Sequence, residues 1–325
     1  MIVDVHSHLY PACYLERLAH RRGDPGIRGA AEGQTMLCWR GMAFGPLGDL
    51  HSRAELRLEE MARHRVDRQI LSLSVPGVDG FDPAEGTAAS REVNDALAEV
   101  CRRHPDRFSA FATVALKDVA GAAAELERAV RSLGLVGGGL FTHVDGRRLD
   151  AEEFLPFFER AQTLGVPLFI HPAPPPHPDG MTEYRMAGLV GFMNEITLAI
   201  SRLVFSGFLE RLPRLKLVFT HLGGAVPFLA ERIERWARFP ECREKIGRSP
   251  RDSLRTLYLD TAACSTSALM CAHALSGTDR LLFGTDHPFA AADIPRTLAA
   301  VEAMPLPPEE RAGILGENAR RLFGL

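Results

Sequence analysis

Lysine is scarce in this 325-residue chain: only Lys117, Lys216 and Lys245 occur, and arginine supplies nearly all the positive charge. The formal net charge is −3 at pH 7, with 46% hydrophobic and 24% charged residues. Proteins that bind nucleic acid or an anionic membrane through surface charge carry an excess of basic residues. The composition therefore predicts a soluble globular protein with neither kind of partner.

Cysteine is also scarce, and none of the six residues belongs to a CxxC pair. Scattered cysteines of this kind favour free thiols in a reducing compartment. No run approaches the ~20 apolar residues of a membrane span. The first predicted strand begins at Ile2, which leaves no room for a leader peptide. We therefore expect a cytoplasmic protein whose thiols are free: Cys13, Cys38, Cys101, Cys242, Cys264 and Cys271.

Eight short apolar runs alternate with amphipathic stretches, which include residues 119–133, 192–212 and 308–323. Strand–helix alternation, with runs apolar enough to be buried on both faces, predicts a parallel (β/α)8 TIM barrel as one domain over residues 1–325. The alternative is an open doubly wound sheet, but no GxGxxG follows the first strand. The predicted strands are Ile2–Val5, Gln69–Leu73, Ser109–Val114, Gly138–Phe141, Val166–Ile170, Lys216–Thr220, Leu257–Leu259 and Leu281–Phe283.

Two predicted connections are longer than ordinary turns. Residues 9–52 follow the first strand, and we interpret them as a lid or an inserted hairpin over the mouth of the barrel. Residues 172–178 are rich in proline and directly follow His171. They form either a stiff pocket wall or a plain surface loop. A final helix over residues 308–323 ends the chain.

Histidine and aspartate residues occur where several predicted strands end. His6 and His8 close the first strand, and side chains two residues apart in a strand point to the same side. His171, His221 and Asp286 follow three other strands. Since the carboxyl ends of barrel strands share one rim, these five side chains should converge. Any one histidine could be an ordinary hydrogen-bonded residue, but imidazoles with a carboxylate suit a divalent ion such as zinc, or manganese. The set predicts a metal site.

The order of these residues resembles the amidohydrolase superfamily. It is most similar to the branch of aminocarboxymuconate-semialdehyde decarboxylase and the salicylate-, resorcylate- and 6-methylsalicylate-type decarboxylases. The resemblance covers essentially the whole chain, and its clearest segments are residues 71–76, 104–108, 169–172, 220–225, 259–262 and 283–286.

The resemblance implies a role for each of the five residues. His6, His8, His171 and Asp286 would be the metal ligands, and His221 would orient or deprotonate a water molecule. Binuclear members of the superfamily use a carbamylated lysine on strand four, but no lysine lies near the fourth predicted strand here. A single divalent ion is therefore expected. Burial would let Asp286 hold a proton near neutral pH, so we expect Asp286 or His221 to be the proton donor.

Substrate contacts are harder to predict. Arg57 matches the carboxylate-binding arginine of the family, and Arg53 is its neighbour, but both could belong to a solvated helix face. Arg232 matches an arginine that the decarboxylases contribute to a neighbouring subunit, although Glu231 replaces the usual glycine before it. His287 departs from the usual aromatic residue and either binds substrate or forms ordinary hydrogen bonds. The aromatic side chains that could line a pocket, or equally the core, are Trp39, Tyr184, Phe192 and Phe289.

The expected function is metal-dependent, non-oxidative decarboxylation of a small aromatic (hydroxybenzoate-like) or unsaturated carboxylic acid. A hydrolase, lactonase or hydratase of a small carboxylated substrate is the alternative, because a metal site of this kind also supports attack by water. A third hypothesis is a barrel that binds a ligand or a metal without catalysing a reaction. The resemblance also implies a homodimer.

Overall fold

A computed structural model of the chain describes residues 1–29, 35–262 and 265–325. Cys264 lies outside these ranges, and the other five cysteines are free. The strands are β1 Val3–His8, β2 Gly26–Gly29, β3 Thr35–Trp39, β4 Met42–Leu47, β5 Arg68–Ser72, β6 Phe108–Thr113, β7 Gly137–Phe141, β8 His143–Val144, β9 Arg147–Arg148, β10 Leu168–His171, β11 Leu217–Phe219, β12 Tyr258–Asp260 and β13 Leu281–Leu282.

Eight of these strands form a parallel sheet in the order β1-β5-β6-β7-β10-β11-β12-β13. The two ends of the sheet meet, because Val5 N donates to Phe283 O (2.9 Å) and His8 N donates to His287 O (2.7 Å). The predicted TIM barrel is confirmed, and all eight predicted strands are present with ends shifted by a few residues. That residues 1–325 form one domain stays a prediction.

The helices follow the barrel strands. They are α1 Ala12–His20, α2 Arg57–Arg63, α3 Pro83–Arg103, α4 Val119–Leu133, α5 Leu155–Leu164, α6 Phe192–Phe205, α7 Phe208–Arg211, α8 Val226–Trp236, α9 Pro240–Arg243, α10 Pro250–Leu254, α11 Thr266–Ser276, α12 Ile294–Glu302, α13 Pro308–Ala312 and α14 Asn318–Phe323. Short 3-10 segments cover Asp49–His51, Ala54–Leu56, Glu152–Phe154, His221–Gly223 and Thr278–Arg280, and π-helical segments cover Ala187–Gly191 and Gly313–Glu317.

The barrel interior is filled by strand side chains and closed at one end by the C-terminal helix. Val3, Val5, Phe111 and Phe169 belong to one buried cluster with Phe323 of α14. The rings of Phe111 and Phe169 stack with centroids 4.8 Å apart, and Phe323 lies 5.3 Å from Phe111. The helix predicted at the C-terminus therefore seals the barrel end opposite the strand termini that carry the polar residues.

The segment after β1 is more elaborate than the predicted lid or hairpin. Within the described residues it consists of α1 and an antiparallel sheet of β2, β3 and β4. Arg40 and Gly41 join β3 to β4 with φ of 54° and 74°, as a tight hairpin turn requires. From β4, the ring of Phe44 stacks on Phe192 with a centroid separation of 6.2 Å. The insert therefore reaches the mouth of the barrel.

One helical stretch, Ala187–Phe205, is long and apolar enough to cross a membrane, with a mean hydropathy of 1.4. The core helix of a soluble protein meets the same criterion, so this is weak evidence for a span. Its exposed side chains include Leu189 and Leu198, which leaves an apolar face uncovered.

Candidate metal centre

The five side chains predicted to converge lie at one end of the barrel, and all five residues are buried. His6 Nε2 is 3.0 Å from His8 Nε2 and 3.1 Å from Asp286 Oδ1. His8 Nε2 is 3.0 Å from the same carboxylate oxygen, and His171 Nε2 is 4.0 Å from it. The ligand atoms of His6, His171, His221 and Asp286 all lie within 4.8 Å of one another. The structure thus brings together every predicted metal-site residue.

The hydrogen bonds of the Nδ1 atoms show which ring nitrogen of His171 and His8 presents a lone pair to the cluster. His171 Nδ1 lies 2.9 Å from Pro172 O, which can only accept, so Nδ1 carries the proton and Nε2 offers its lone pair to the cluster. His8 Nδ1 lies 2.9 Å from Ser72 Oγ, which fixes that ring in the same way when Nδ1 donates. Several lone pairs and a carboxylate facing one point repel each other unless a cation lies between them. The residues therefore fit a divalent metal ion.

Electrostatics also favours a cation at this point. Burial lowers the pKa of His8 to about 4 and the pKa values of His171 and His221 below the usual range, which keeps these rings neutral. Burial alone would also lower the pKa of His6, but the carboxylates of Asp260 and Asp286 raise it to about 10. A metal ion at this point would displace that proton, as metal binding to histidine generally does.

The pKa of Asp286 moves in the direction opposite to the one expected from burial. Desolvation raises it, but His6 and His8 overcome this effect and lower it well below the usual range. Asp286 is therefore an ionised carboxylate in this arrangement, which suits a ligand. Of the two residues predicted to handle protons, His221 is left as the neutral group near pH 7.

Asp260, at the end of β12, positions two of the five residues. Its Oδ2 lies 2.8 Å from His6 Nδ1, and its Oδ1 accepts from the backbone N of His221 (2.8 Å). It is fully buried. We assigned it no role from the sequence, although it ends an apolar strand in the same way as the predicted ligands do.

The backbone is held in unusual conformations at two of the site residues. Asp286 has a φ of 67°, and His221 and Leu222 have φ values of 50° and 55°. Such conformations cost free energy in non-glycine residues and persist only where the surroundings fix them. Asp286 N donates to His6 O (2.8 Å), which ties the residue back to β1.

Aromatic rings surround the cluster. Phe289 lies 5.3 Å from the His8 ring, and Phe141 and Phe192 lie 6.0 and 6.2 Å from the His171 ring. Phe192 and Phe289 were among the predicted pocket residues. Phe44, which stacks on Phe192, belongs to the segment predicted as a lid or inserted hairpin but was not itself predicted to line the pocket. The other two predicted aromatic residues lie elsewhere: Tyr184 is 86% exposed, and Trp39 is buried against the loop at Gly80.

Arg57 lies behind the site, and its side chain is fully buried. Nε donates to Leu50 O (2.8 Å), Nη1 to Ser7 Oγ (2.9 Å), and Nη2 to Leu50 O (2.6 Å) and His8 O. Four of its five N–H donors are thus engaged with the protein. Its predicted contact with a substrate carboxylate stays a prediction, and the observed contacts are those of a residue that fixes the backbone beside His8.

The other two predicted substrate-binding residues, Arg232 and His287, contact groups of the protein. Arg232 is exposed on α8, with its guanidinium 4.3 Å above the ring of Trp236. His287 Nε2 lies 2.8 Å from Glu60 Oε2, so the ring is paired with a carboxylate of α2. Neither position tests a contact with substrate.

The stiff segment after β10 is anchored on both sides. His143 Nε2 donates to Pro174 O (3.0 Å), and a Cβ at Gly191 would lie 2.7 Å from Pro175 Cγ. The proline-rich residues after His171 therefore form a fixed wall beside the cluster, which agrees with the pocket-wall interpretation of this segment.

Comparison with known families identifies the chain. A family model described as "Amidohydrolase" matches residues 3–325. The chain belongs to the amidohydrolase family. This enzyme is 31% identical over 330 residues to the 2-amino-3-carboxymuconate-6-semialdehyde decarboxylase of Dictyostelium discoideum, which covers 99% of this chain and 91% of the relative. It is 33% identical over 287 residues to the gamma-resorcylate decarboxylase of Rhizobium sp. (strain MTP-10005), covering 83% and 87% of the two chains. The predicted decarboxylase branch is confirmed.

Solved structures agree with this placement. The 5-carboxyvanillate decarboxylase of Sphingomonas paucimobilis superimposes with a TM-score of 0.89 and 27% identity, covering 100% of this chain and 99% of that one. The dihydroxybenzoic acid decarboxylase of Polaromonas sp. JS666, with bound manganese and the inhibitor 2-nitroresorcinol, has a TM-score of 0.79 and 27% identity, covering 100% and 97%. Together with the buried His/Asp group, the bound manganese supports a divalent-metal site in this amidohydrolase.

Proposed function

We propose that this amidohydrolase catalyses the metal-dependent, non-oxidative decarboxylation of a small aromatic, hydroxybenzoate-like carboxylic acid, or of an unsaturated one. The observation that carries the proposal is the buried convergence of His6, His8, His171, His221 and Asp286 at the barrel rim. The named decarboxylases among its relatives support the same reaction.

We assign His6, His8, His171 and Asp286 as the ligands of one divalent ion, zinc as the first choice and manganese as the second. When bound, the ion supplies Lewis-acid polarisation of a substrate oxygen. Imidazole and carboxylate suit either metal. The described residues near β7 include no lysine, which supports a single ion.

Decarboxylation requires that the carboxylate be anchored, that the ring carbon receive a proton, and that the electron pair of the broken C–C bond stay on that carbon. His221 is our first candidate for holding and delivering the proton, and Asp286 is the second, because its ionised carboxylate would first have to take up a proton. Burial lowers the pKa of His221 and keeps the ring neutral beside Asp286, so once protonated it would readily pass the proton on to the ring carbon. Once the ring carbon is protonated, loss of carbon dioxide restores aromaticity.

The aromatic walls suit a flat substrate. Phe192, with Phe44 stacked on it, lies beside the His171 ring, and Phe289 lies beside the His8 ring. Flat rings pack favourably against aromatic faces and edges. We place the substrate ring between these side chains. His287 and Arg57 remain candidates for contacts at the rim, although both are paired with protein groups.

The reaction is tested by incubating manganese- or zinc-loaded protein with a panel of hydroxybenzoates, pyrone acids and lactones in isotopically labelled water. We expect carbon dioxide release from at least one hydroxybenzoate, with no labelled oxygen in the aromatic product. Incorporation of labelled oxygen without carbon dioxide would instead indicate a hydrolase, lactonase or hydratase. Protein that retains no divalent ion and converts no compound would favour a ligand-binding barrel.

We further propose a cytoplasmic homodimer in which Arg232 reaches the partner's site. Phe228, Arg232 and Trp236 recur every fourth residue and so share one face of α8, where Phe228 is 82% exposed and Trp236 is 42% exposed. Exposed apolar side chains grouped in this way are typical of an interaction surface. A second copy of the chain is our proposed occupant, and we propose no nucleic-acid or membrane partner.

Subunit complementation tests the proposed dimer. Arg232→Ala and His171→Ala proteins should each be inactive alone, but co-refolding them should restore up to about a quarter of the wild-type activity, because heterodimers then contain one complete site. No recovery, with heterodimers present by mass measurement, would place Arg232 outside the partner's site.

Phe228→Lys should yield a monomer in sedimentation, and Arg235→Ala, on the same helix, serves as the matched control.

A further inference from the structure

A second polar feature lies beside the metal cluster, on the side of β5, β6 and β7. A narrow cavity there, with room for about one or two water molecules, reaches His171. Gly139 of β7 is one of the lining residues, and a Cβ there would meet nothing closer than Phe111 Cβ at 3.6 Å. The cavity is lined mainly by apolar and aromatic side chains, and the residues relevant here are Leu73, Asp79, Phe111, Thr113, Phe141 and His171.

Asp79 is the only carboxylate among the lining residues of this cavity. The residue is 5% exposed, and its Oδ1 is buried without a hydrogen-bond partner among the residues that the structure describes. Buried polar atoms are nearly always paired, so an unpaired one calls for a physical reason. Burial raises the pKa of Asp79 to about 7, which shows how poorly the surroundings compensate the carboxylate.

Neighbouring cations do not supply the missing partner. Lys117 Nζ donates to Phe81 O (3.2 Å) and lies 3.4 Å from Asp145 Oδ2. Arg147 Nη1 lies 3.0 Å from Glu153 Oε2. No ion pair to Asp79 occurs within residues 1–29, 35–262 and 265–325.

The loop that carries Asp79 cannot easily turn the carboxylate out to water. A Cβ at Gly77 would lie 2.3 Å from Phe141 Cε2, and one at Gly80 would lie 2.6 Å from Pro25 Cδ. Tyr14 Oη donates to Gly77 O (2.6 Å). The loop is therefore packed between the barrel and the inserted sheet. It holds Asp79, whose Oδ1 has no partner among the described residues, at the lining of a cavity that also touches the metal-site residue His171.

We propose that Asp79 and this cavity form a subsite for a hydrogen-bond-donating ring substituent, a hydroxyl or amino group, of the aromatic acid. The inference rests on the proposed function, because it assumes an aromatic ring at the metal cluster. His171 belongs to both the cluster and the cavity wall, so a ring held at the cluster has one edge beside the cavity. Asp79 accepts a hydrogen bond in either protonation state, since even a neutral carboxyl keeps acceptor capacity. The subsite therefore selects for a donor over a methyl group of similar size.

The test uses matched ligands that differ only in a hydroxyl or a methyl group. We titrate manganese-loaded protein calorimetrically with pairs of salicylates that carry a hydroxyl or a methyl group at the same ring position. γ-Resorcylate and 6-methylsalicylate are one such pair. At one ring position, wild type should bind the hydroxyl member at least about tenfold more tightly, because a site built to pair with a donor rejects an analogue lacking it. Asp79→Leu should abolish that preference and Asp79→Asn should retain most of it. Asp79→Ala replaces the leucine variant if the latter does not fold.

Two outcomes would overturn the subsite. One is the absence of any hydroxyl-over-methyl preference in wild type, as expected if Asp79 Oδ1 only binds water. The other is a loss of affinity in Asp79→Leu that is equal for both members of every pair, which a merely structural role would produce. Carbon dioxide release is measured separately on the same compounds. A hydroxyl-over-methyl preference without carbon dioxide release would support the subsite and contradict the proposed decarboxylation. Carbon dioxide release without that preference would support the decarboxylation and contradict the subsite.

Discussion

Replacing His171 with alanine is expected to lower kcat/KM at least about a thousandfold and to leave the protein without a tightly held divalent ion. The Nε2 lone pair of His171 faces Asp286 Oδ1 at 4.0 Å, and the Pro172 carbonyl fixes the ring in that orientation. A bound metal contributes several kcal/mol of transition-state stabilisation, and each 1.36 kcal/mol is worth a factor of ten in rate. The measurements are elemental analysis of the purified protein and initial rates of carbon dioxide release.

His177→Ala is the matched control, because His177 lies six residues further along the same wall and is exposed. It should keep both the metal and the activity. Circular dichroism should show that the His171→Ala barrel remains folded, since removing one ring from a polar cluster leaves the hydrophobic interior intact. A folded His171→Ala protein that retains wild-type metal content and rate would exclude His171 from the site.

The fold could be predicted where local signals and burial agree. The helix predicted over residues 119–133 is observed with the same ends, because Asp118 accepts from Gly121 N at its start and Gly134 adopts a left-handed φ of 73° at its end. The helix predicted over residues 192–212 is divided at Gly207 instead. A Cβ there would lie 2.2 Å from Lys245 O, a contact between distant segments that no local pattern reveals.

The candidate site was predictable for a similar reason, and only in part. Residues that end parallel strands must share a rim, so the positions of His171, His221 and Asp286 followed from the strands alone. The same rule would have found Asp260, which ends β12. It could not find Phe44 or Asp79, because the former comes from the inserted sheet and the latter from an irregular loop. Their positions depend on how those segments pack onto the barrel.

Replacing Arg57 with alanine is expected to lower the free energy of unfolding by about 3 kcal/mol. The substitution leaves Leu50 O, His8 O and Ser7 Oγ without their donor, and each buried unsatisfied group costs roughly 1–3 kcal/mol. Part of this loss is offset because the variant no longer buries a cation; burial already lowers the pKa of Arg57 to about 9. Urea denaturation of wild type and variant at pH 7 measures the difference.

Arg53→Ala separates a structural role of Arg57 from a general effect of removing an arginine near the start of α2. The Arg53 side chain is 60% exposed and lies 3.5 Å from Asp49, so its loss should change stability by less than about 0.5 kcal/mol. Arg57→Lys keeps the charge but cannot reproduce the planar fork, so it should be intermediate in stability. A substrate-binding Arg57 would give the opposite pattern, with a raised KM for carboxylates in Arg57→Ala and unchanged stability. The four hydrogen bonds to Leu50, Ser7 and His8 lead us to expect the loss of stability, together with weaker metal binding through the displaced backbone of His8.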